Sequence, residues 1–183
     1  MARVIVVGDG PAGLSAALFL AKNDQQVHIY AQDKTAMHYA QIHNYLGIDM
    51  VDGTEFQRRA REQVATFGAV FRDLQVDDLE HSAGRFIVRA GGDEDHGDYV
   101  VLAGGKAAQR LARQAGVEPV DGRVPVDTEY ATAVDGLYAV GRVARPDRSQ
   151  AIISAGAGAT AALDILAREA GRDVTDWDTP PED

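Results

Sequence analysis

Three glycines, Gly8, Gly10 and Gly13, stand in the order G-x-G-x-x-G within the run VIVVGDGPAGLSAALFL, which covers residues 4 to 20. Each would have a separate physical use. The first lets the chain reverse tightly, the second lets a pyrophosphate approach the backbone, and the third lets a helix pack closely on a strand. Free N–H groups and the positive end of a helix dipole would then face the phosphates. The plain alternative is a tight turn in an ordinary α/β domain.

Other chemistry is sparse. The chain has no cysteine, which excludes disulfides, thiolate nucleophiles, CxxC redox pairs and cysteine-ligated metals. His38 and His43 share a loop with Tyr39 and Tyr45, where they could donate to or stack on a ring, but no third ligand lies near enough for a metal site. His28 alternates on a strand and reads as structural. His81 and His96 fall in polar turns. No Ser-His-Asp set can be assembled from the spacing, and the acidic runs at 73–80 and 93–98 read as solvated faces.

The elements that must hold the turn are legible on either side of it. Val4 to Val7 are apolar and β-branched, as in a strand buried on both faces, and Leu14, Ala17, Leu18 and Ala21 recur at helical spacing. Gln26 to Tyr30 reads as a second strand, followed by an irregular loop over 31–53. Thr54 is expected to cap a helix running to about Phe67, with Gly68 ending it. Ala69–Val76 and Arg85–Ala90 alternate as strands, and GGDEDHGD is expected to form a polar turn. YVVLAGG (99–105) is a buried strand closing on glycine. Lys106–Gln114 is a short helix, Gly136–Val140 a last buried strand, and Ser149 to about Ala170 a helix with small residues on one face.

Length and composition bound the partners. A chain of 183 residues with 45% hydrophobic content fits one domain. Its 28 acidic and 18 basic residues give a net charge of −10, against nucleic acid or anionic membranes as partners. No apolar stretch of spanning length appears, since Gly-Asp-Gly-Pro cuts the first one, and a soluble cytoplasmic protein is expected.

Taken in order, VIVVGDGPAG, NYLGIDMVDGTEFQRRAREQVATFGA, YVVLAGG, VPVDTEYATAVDGLYAVGRV and SQAIISAGAGATAALDIL resemble the FAD-binding domain of the thioredoxin-reductase-like flavoproteins, over roughly residues 3 to 168. The resemblance implies an α/β fold: a single Rossmann-like FAD-binding domain over 1–170, with a parallel sheet, flanking helices and an added β-hairpin, followed by an acidic tail over 171–183. It implies FAD along the carboxyl ends of the strands. The ADP part would lie on Gly8, Gly10, Pro11, Ala12 and Gly13, with Ala31, Gln32 and Gly104 nearby. Gly141, Gln150 and Ala151 match positions around the ribityl chain and ring, with Arg142 at a cofactor position beside Gly141, and Asn44 matches a loop that passes the ring. For Asn44 and Gln150, turn or capping duty is the alternative.

The departures matter equally. Family members carry an inserted NADPH domain with a CxxC pair, whereas here YVVLAGG leads within about twenty residues to VPVDTEY. The acid that commonly ends the second strand and binds the adenosine ribose is Ala31, with Asp33 two residues on. The family's Gly-Asp after the last strand is Gly141-Arg142, and arginine has no acceptor for a ribityl hydroxyl. Two functions follow as expectations. One is a minimal flavoprotein oxidoreductase exchanging electrons with an external redox partner or small substrate, and the other is a non-catalytic nucleotide-binding or regulatory module. Loss of a covering domain favours a homodimer.

Overall fold

The computed structural model describes residues 1–179. In chain order the elements are β1 (Arg3–Val7), α1 (Pro11–Lys22), β2 (Gln26–Tyr30), a 3₁₀ turn (Ala36–Tyr39), β3 (Gln41–Ile42), β4 (Val51–Asp52), α2 (Gly53–Thr66) and β5 (Val70–Arg72). There follow β6 (Asp78–Ser82), β7 (Arg85–Ala90), β8 (Asp93–Gly97), β9 (Tyr99–Leu102), α3 (Lys106–Gln114), β10 (Leu137–Ala139), a second 3₁₀ turn (Gly141–Val143) and α4 (Ala151–Ala170).

Five parallel strands form the central sheet in the order β10-β9-β1-β2-β5. Its strands are apolar on both sides because both faces are covered, which is the usual condition of a parallel sheet. Val4, Val6 and Val101 enter one core with α1 and α4. Ile5, Val100 and Leu102 enter a second core with α3 and the β6-β7-β8 sheet. The result is three layers, an α/β domain with α1 and α4 on one face of the parallel sheet and α3 with the antiparallel sheet on the other.

Small residues set the closeness of α1 and α4. A Cβ on Gly158 would collide with the Ala12 carbonyl, and one on Gly13 would collide with the Gly8 carbonyl. The small-residue face read from the sequence of α4 is therefore a contact surface. This helix is long and apolar enough by composition to cross a membrane, yet Ala157, Ala161, Ala162, Ile165 and Leu166 are buried in the first core.

Three local expectations are corrected. The α2 cap is Asp52, whose carboxylate accepts from the Thr54 and Glu55 amides at 2.8 and 3.4 Å; Thr54 lies inside the helix. The strand expected over 69–76 stops at Arg72, because the Leu74 amide turns back to the Arg72 carbonyl at 2.8 Å. The polar turn expected between β7 and Tyr99 is a strand, β8, so the added antiparallel element has three strands.

The reason β8 was hidden lies in its inward positions. One is Gly97, where a Cβ would stand 3.1 Å from the Ile5 side chain. The other is Asp95, which is 8% exposed. Its carboxylate accepts from Tyr30 Oη at 3.0 Å, lies 2.6 Å from His28 Nδ1 and pairs with Arg3 at 3.2 Å. Burial alone would raise this carboxyl's pKa, but the hydrogen bonds from His28 and Tyr30 and the charge of Arg3 hold it below the usual carboxylate range. Part of the acidic run at 93–98 is thus an interior ion pair and not a solvated face. His28 is structural, as its alternation suggested.

After α4, Gly171 takes the left-handed conformation that ends the helix (φ 65°). Val174 then packs on the first core, and Lys22 holds Asp176 and Asp178 at 3.1 and 2.6 Å. The last four residues of the expected acidic tail lie outside the described residues.

Candidate functional site: a crevice at the carboxyl edge of the sheet

β1 and β9 are neighbours, but the chain leaves β1 toward β2 on one side and reaches β9 and β10 on the other. At such a switch point the loops diverge and a crevice opens beyond the strand ends. Here it has a volume of about 300 Å³. Its walls come from four strand ends: Gly8–Ala12 after β1, Lys34–Met37 after β2, Ala103–Gly105 after β9, and Gly141 and Arg142 after β10. Ser149 and Ser154, before and inside α4, complete it.

The glycines perform the expected tasks locally. Gly8 has φ +105°, which only glycine adopts freely, and a Cβ there would stand 3.0 Å from the Ala103 carbonyl. Gly10 caps α1 with extended backbone and no side-chain hydrogen bond at the cap, so the first-turn amides keep their capacity to donate. A Cβ on Gly10 would meet only Thr35 Oγ1, at 3.5 Å. That open direction leads into the crevice.

Side chains from α2 brace the turn. Gln57 is fully buried; its amide donates to the Asp9 carbonyl at 2.7 Å and to the Asp33 carboxylate at 3.2 Å. One turn later, Arg61 pairs with the Asp9 carboxylate and lies over the Phe71 ring at 4.4 Å. Asp9 is 4% exposed and its charge is matched by Arg61. The crevice is then left with the cations of Lys34 and Arg142 and the positive end of α1, a field that suits an anion.

Of the residues singled out from the sequence, Gly8, Gly10, Pro11, Ala12, Gly104, Gly141 and Arg142 line one crevice. Gly13 lies behind it, at the α1–β1 contact. Ala31 directly follows β2 and donates its amide to the Arg72 carbonyl at 3.0 Å, while Gln32 accepts from Lys34 Nζ at 3.0 Å. Gln150 is exposed and caps α4, Ala151 begins that helix, and Ser149 beside them reaches the crevice. Asn44 sits exposed next to the turn between β3 and β4, away from the crevice lining. His38 is engaged with Asp33 and Thr54, and His43 with Gln41. Among the described residues no cluster of metal-ligating side chains forms.

Sequence reasoning missed Asp9, Gln57, Arg61, Lys34, Thr35, Ser149 and Ser154. Asp9 occupies a wildcard position of the glycine motif. The only signal for the α2 pair was the four-residue spacing of Gln57 and Arg61, which puts both on one helix face.

The residues present fit a dinucleotide. Gly10 presents backbone where a side chain would intrude, the start of α1 there has no side-chain cap, and Lys34 and Arg142 line the same crevice. When bound, a flavin would supply hydride and electron chemistry that no side chain of this crevice carries. The chain's own part is to bind, orient and electrostatically support it.

Known proteins share this fold. The sequence profile of the family described as pyridine nucleotide-disulphide oxidoreductase matches residues 2–105 and 69–162. A thioredoxin reductase of Mycolicibacterium smegmatis is 30% identical over 142 residues, which are 74% of this chain and 43% of that protein. One from Schizosaccharomyces pombe is 29% identical over 157 residues, covering 73% and 49%. The chain thus spans less than half the length of these curated relatives. Among solved structures, a thioredoxin reductase from Gloeobacter violaceus superposes with a TM-score of 0.86 at 20% identity, covering 97% of this chain and 99% of the other. The atypical thioredoxin reductase TRi from Desulfovibrio vulgaris Hildenborough gives 0.83 at 17%, covering 91% and 97%. These likenesses agree on the fold, and with the profile match over most of its length the chain belongs to the pyridine nucleotide-disulphide oxidoreductase family.

Proposed function

We propose that this chain is a minimal FAD-binding oxidoreductase that exchanges electrons with an external donor and acceptor, and that residues 1–170 are its FAD-binding unit. The observation that carries this reading is the convergence of Gly10, Gly104, Gly141 and two cations on one crevice at the sheet's switch point. The ADP moiety would lie on Gly8 to Gly13, and the ring would extend toward Gln150, where the start of α4 supports negative charge. With no cysteine in the chain, a dithiol relay within it is excluded, so electrons would pass to a group outside these residues. We place it in the cytoplasm as a homodimer. Tyr39, Leu46 and Met50, exposed by 95, 89 and 58% around the β3–β4 hairpin, support self-association. The charge of −10 argues against nucleic acid and membrane partners.

A second reading, a nucleotide-binding module without redox turnover, draws on Arg142, which offers no acceptor where the resemblance expects a carboxylate. One titration separates the two. Purified protein, stripped and then titrated with FAD and with ADP, is expected to take up FAD near one equivalent and to reduce chemically with retention of flavin. Binding of ADP without FAD would establish the second reading, and binding of neither would remove both.

A further inference from the structure

A second cavity, of about 420 Å³, opens beside the crevice and is lined by Arg123, Arg145, Pro146, Asp147 and Arg148. Its arginines come from two separate turns. Arg123 leaves a two-residue hairpin in which Val120 and Arg123 exchange both backbone hydrogen bonds, at 2.8 and 3.0 Å, over Asp121 and Gly122. Both of those residues have positive φ, 49° and 75°, as a tight primed turn requires. Arg145 donates its amide to the Gly141 carbonyl at 2.8 Å, and Arg148 donates to the Arg145 carbonyl at 3.3 Å. The Val124 amide donates to the Val143 carbonyl at 2.9 Å and so ties the two turns together.

The cavity lining is one-sided in charge, with three arginines to one aspartate. Arg3, Arg58, Arg61, Arg85, Arg89 and Arg168 each hold an acidic partner. Bare arginines occur elsewhere too, at Arg72, Arg110, Arg142 and Arg172 among the described residues, but here three of them line one cavity. Among the described residues Arg123, Arg145 and Arg148 form no ion pair, not even with Asp147 in the same cavity. Like charges pinned together on fixed backbone cost free energy unless an anion neutralises them. Guanidinium groups meet phosphate oxygens in bidentate fashion, and backbone pinning reduces the ordering that binding requires.

We propose that this cavity is an anion site, distinct from the nucleotide crevice, and that it takes a small molecule bearing two linked phosphate groups. Arg123 on one turn and Arg145 with Arg148 on the other supply the donors. The cavity volume and three cations against one acid favour a diphosphate over a single carboxylate.

The probe is inorganic pyrophosphate, titrated calorimetrically at about 20 mM ionic strength, where surface charges are little screened. Because pyrophosphate is also a candidate for the crevice, wild type is compared with Gly10→Val and with Arg123→Gln/Arg145→Gln/Arg148→Gln. Binding is expected to weaken at least tenfold in the triple glutamine variant and to change less than about threefold in Gly10→Val. The triple variant should melt no lower than wild type without ligand, since none of its arginines has a protein partner to lose. The corresponding triple lysine variant keeps the charge but not the fork, and should weaken binding several-fold. Failure of wild type to bind, or unchanged binding in the triple glutamine variant, would overturn the site.

Discussion

Asp9, the residue between the first two glycines of the nucleotide turn, is buried and ion-paired with Arg61 of α2. The turn is therefore anchored by a helix residue 52 positions on, and its one acid is neutralised before any phosphate arrives. Arg61→Ala should leave that carboxylate buried beside the crevice without a partner. We expect a loss of about 2 kcal/mol in denaturant unfolding, moderated because Arg61 is partly exposed. FAD affinity should fall roughly tenfold through the uncompensated charge. Asp9→Asn in the same background should recover part of both, and a null effect in Arg61→Ala would mean the pair is incidental.

Gly10→Val should abolish nucleotide binding and leave the domain folded. The backbone at Gly10 is extended (φ −69°, ψ 178°) and suits valine, and a Cβ there meets only Thr35 Oγ1 at 3.5 Å. The new methyl groups would occupy the direction open to a pyrophosphate. Native circular dichroism with no flavin uptake is the expected pair of results; unchanged uptake would refute the binding assignment.

The two glycines of α4 should respond in opposite directions to alanine. Gly158→Ala drives a methyl into the Ala12 carbonyl and should cost about 1–3 kcal/mol by forcing α1 and α4 apart. Gly156→Ala meets nothing within 4 Å and should stabilise by up to about 1 kcal/mol through helix propensity. Thermal melts of the two variants check both signs.

Arg142 lines the crevice, is exposed and has no ion-pair partner among the described residues. It is free to reach a phosphate, so Arg142→Asp exchanges one contact for another. FAD affinity should change by no more than about tenfold, or roughly 1.4 kcal/mol. A large gain of FAD binding in the variant would mark the arginine as the lesion that turned a flavoprotein into something else.

Asp95 links pH to stability. Despite its burial, hydrogen bonds from His28 and Tyr30 and the charge of Arg3 lower its pKa in the folded state, so the unfolded chain binds this proton more tightly. Its stabilisation is present above the ordinary aspartate value of about 4 and is lost as pH falls through the lower folded value. Asp95→Asn should flatten that acid limb and cost about 1–3 kcal/mol at neutral pH. Urea midpoints from pH 3 to 7 test it, and an equally steep acid limb in the variant would assign that limb to other carboxylates.

What the sequence determined by itself was whatever depends on local spacing. The Gly8-Gly10-Gly13 turn, the both-faces-buried strands β1 and β9, the helix over Lys106–Gln114 and the small-residue face of α4 all follow from chain geometry and periodicity, which neighbours far along the chain do not alter. Even the resemblance to FAD-binding domains rests on such short motifs. Tertiary structure decided the rest, because it concerns which distant groups neutralise one another. β8 was unreadable since its inward positions are a glycine and an aspartate, acceptable only when His28, Tyr30 and Arg3 arrive from other strands. Asp9 became interior only because α2 delivers Arg61 to it. Conversely, Arg123, Arg145 and Arg148 look in sequence like ordinary surface arginines. Folding gathers them around one cavity and, among the described residues, brings no acid into an ion pair with them, for the hydrogen bond from Val124 to Val143 fixes which turns meet.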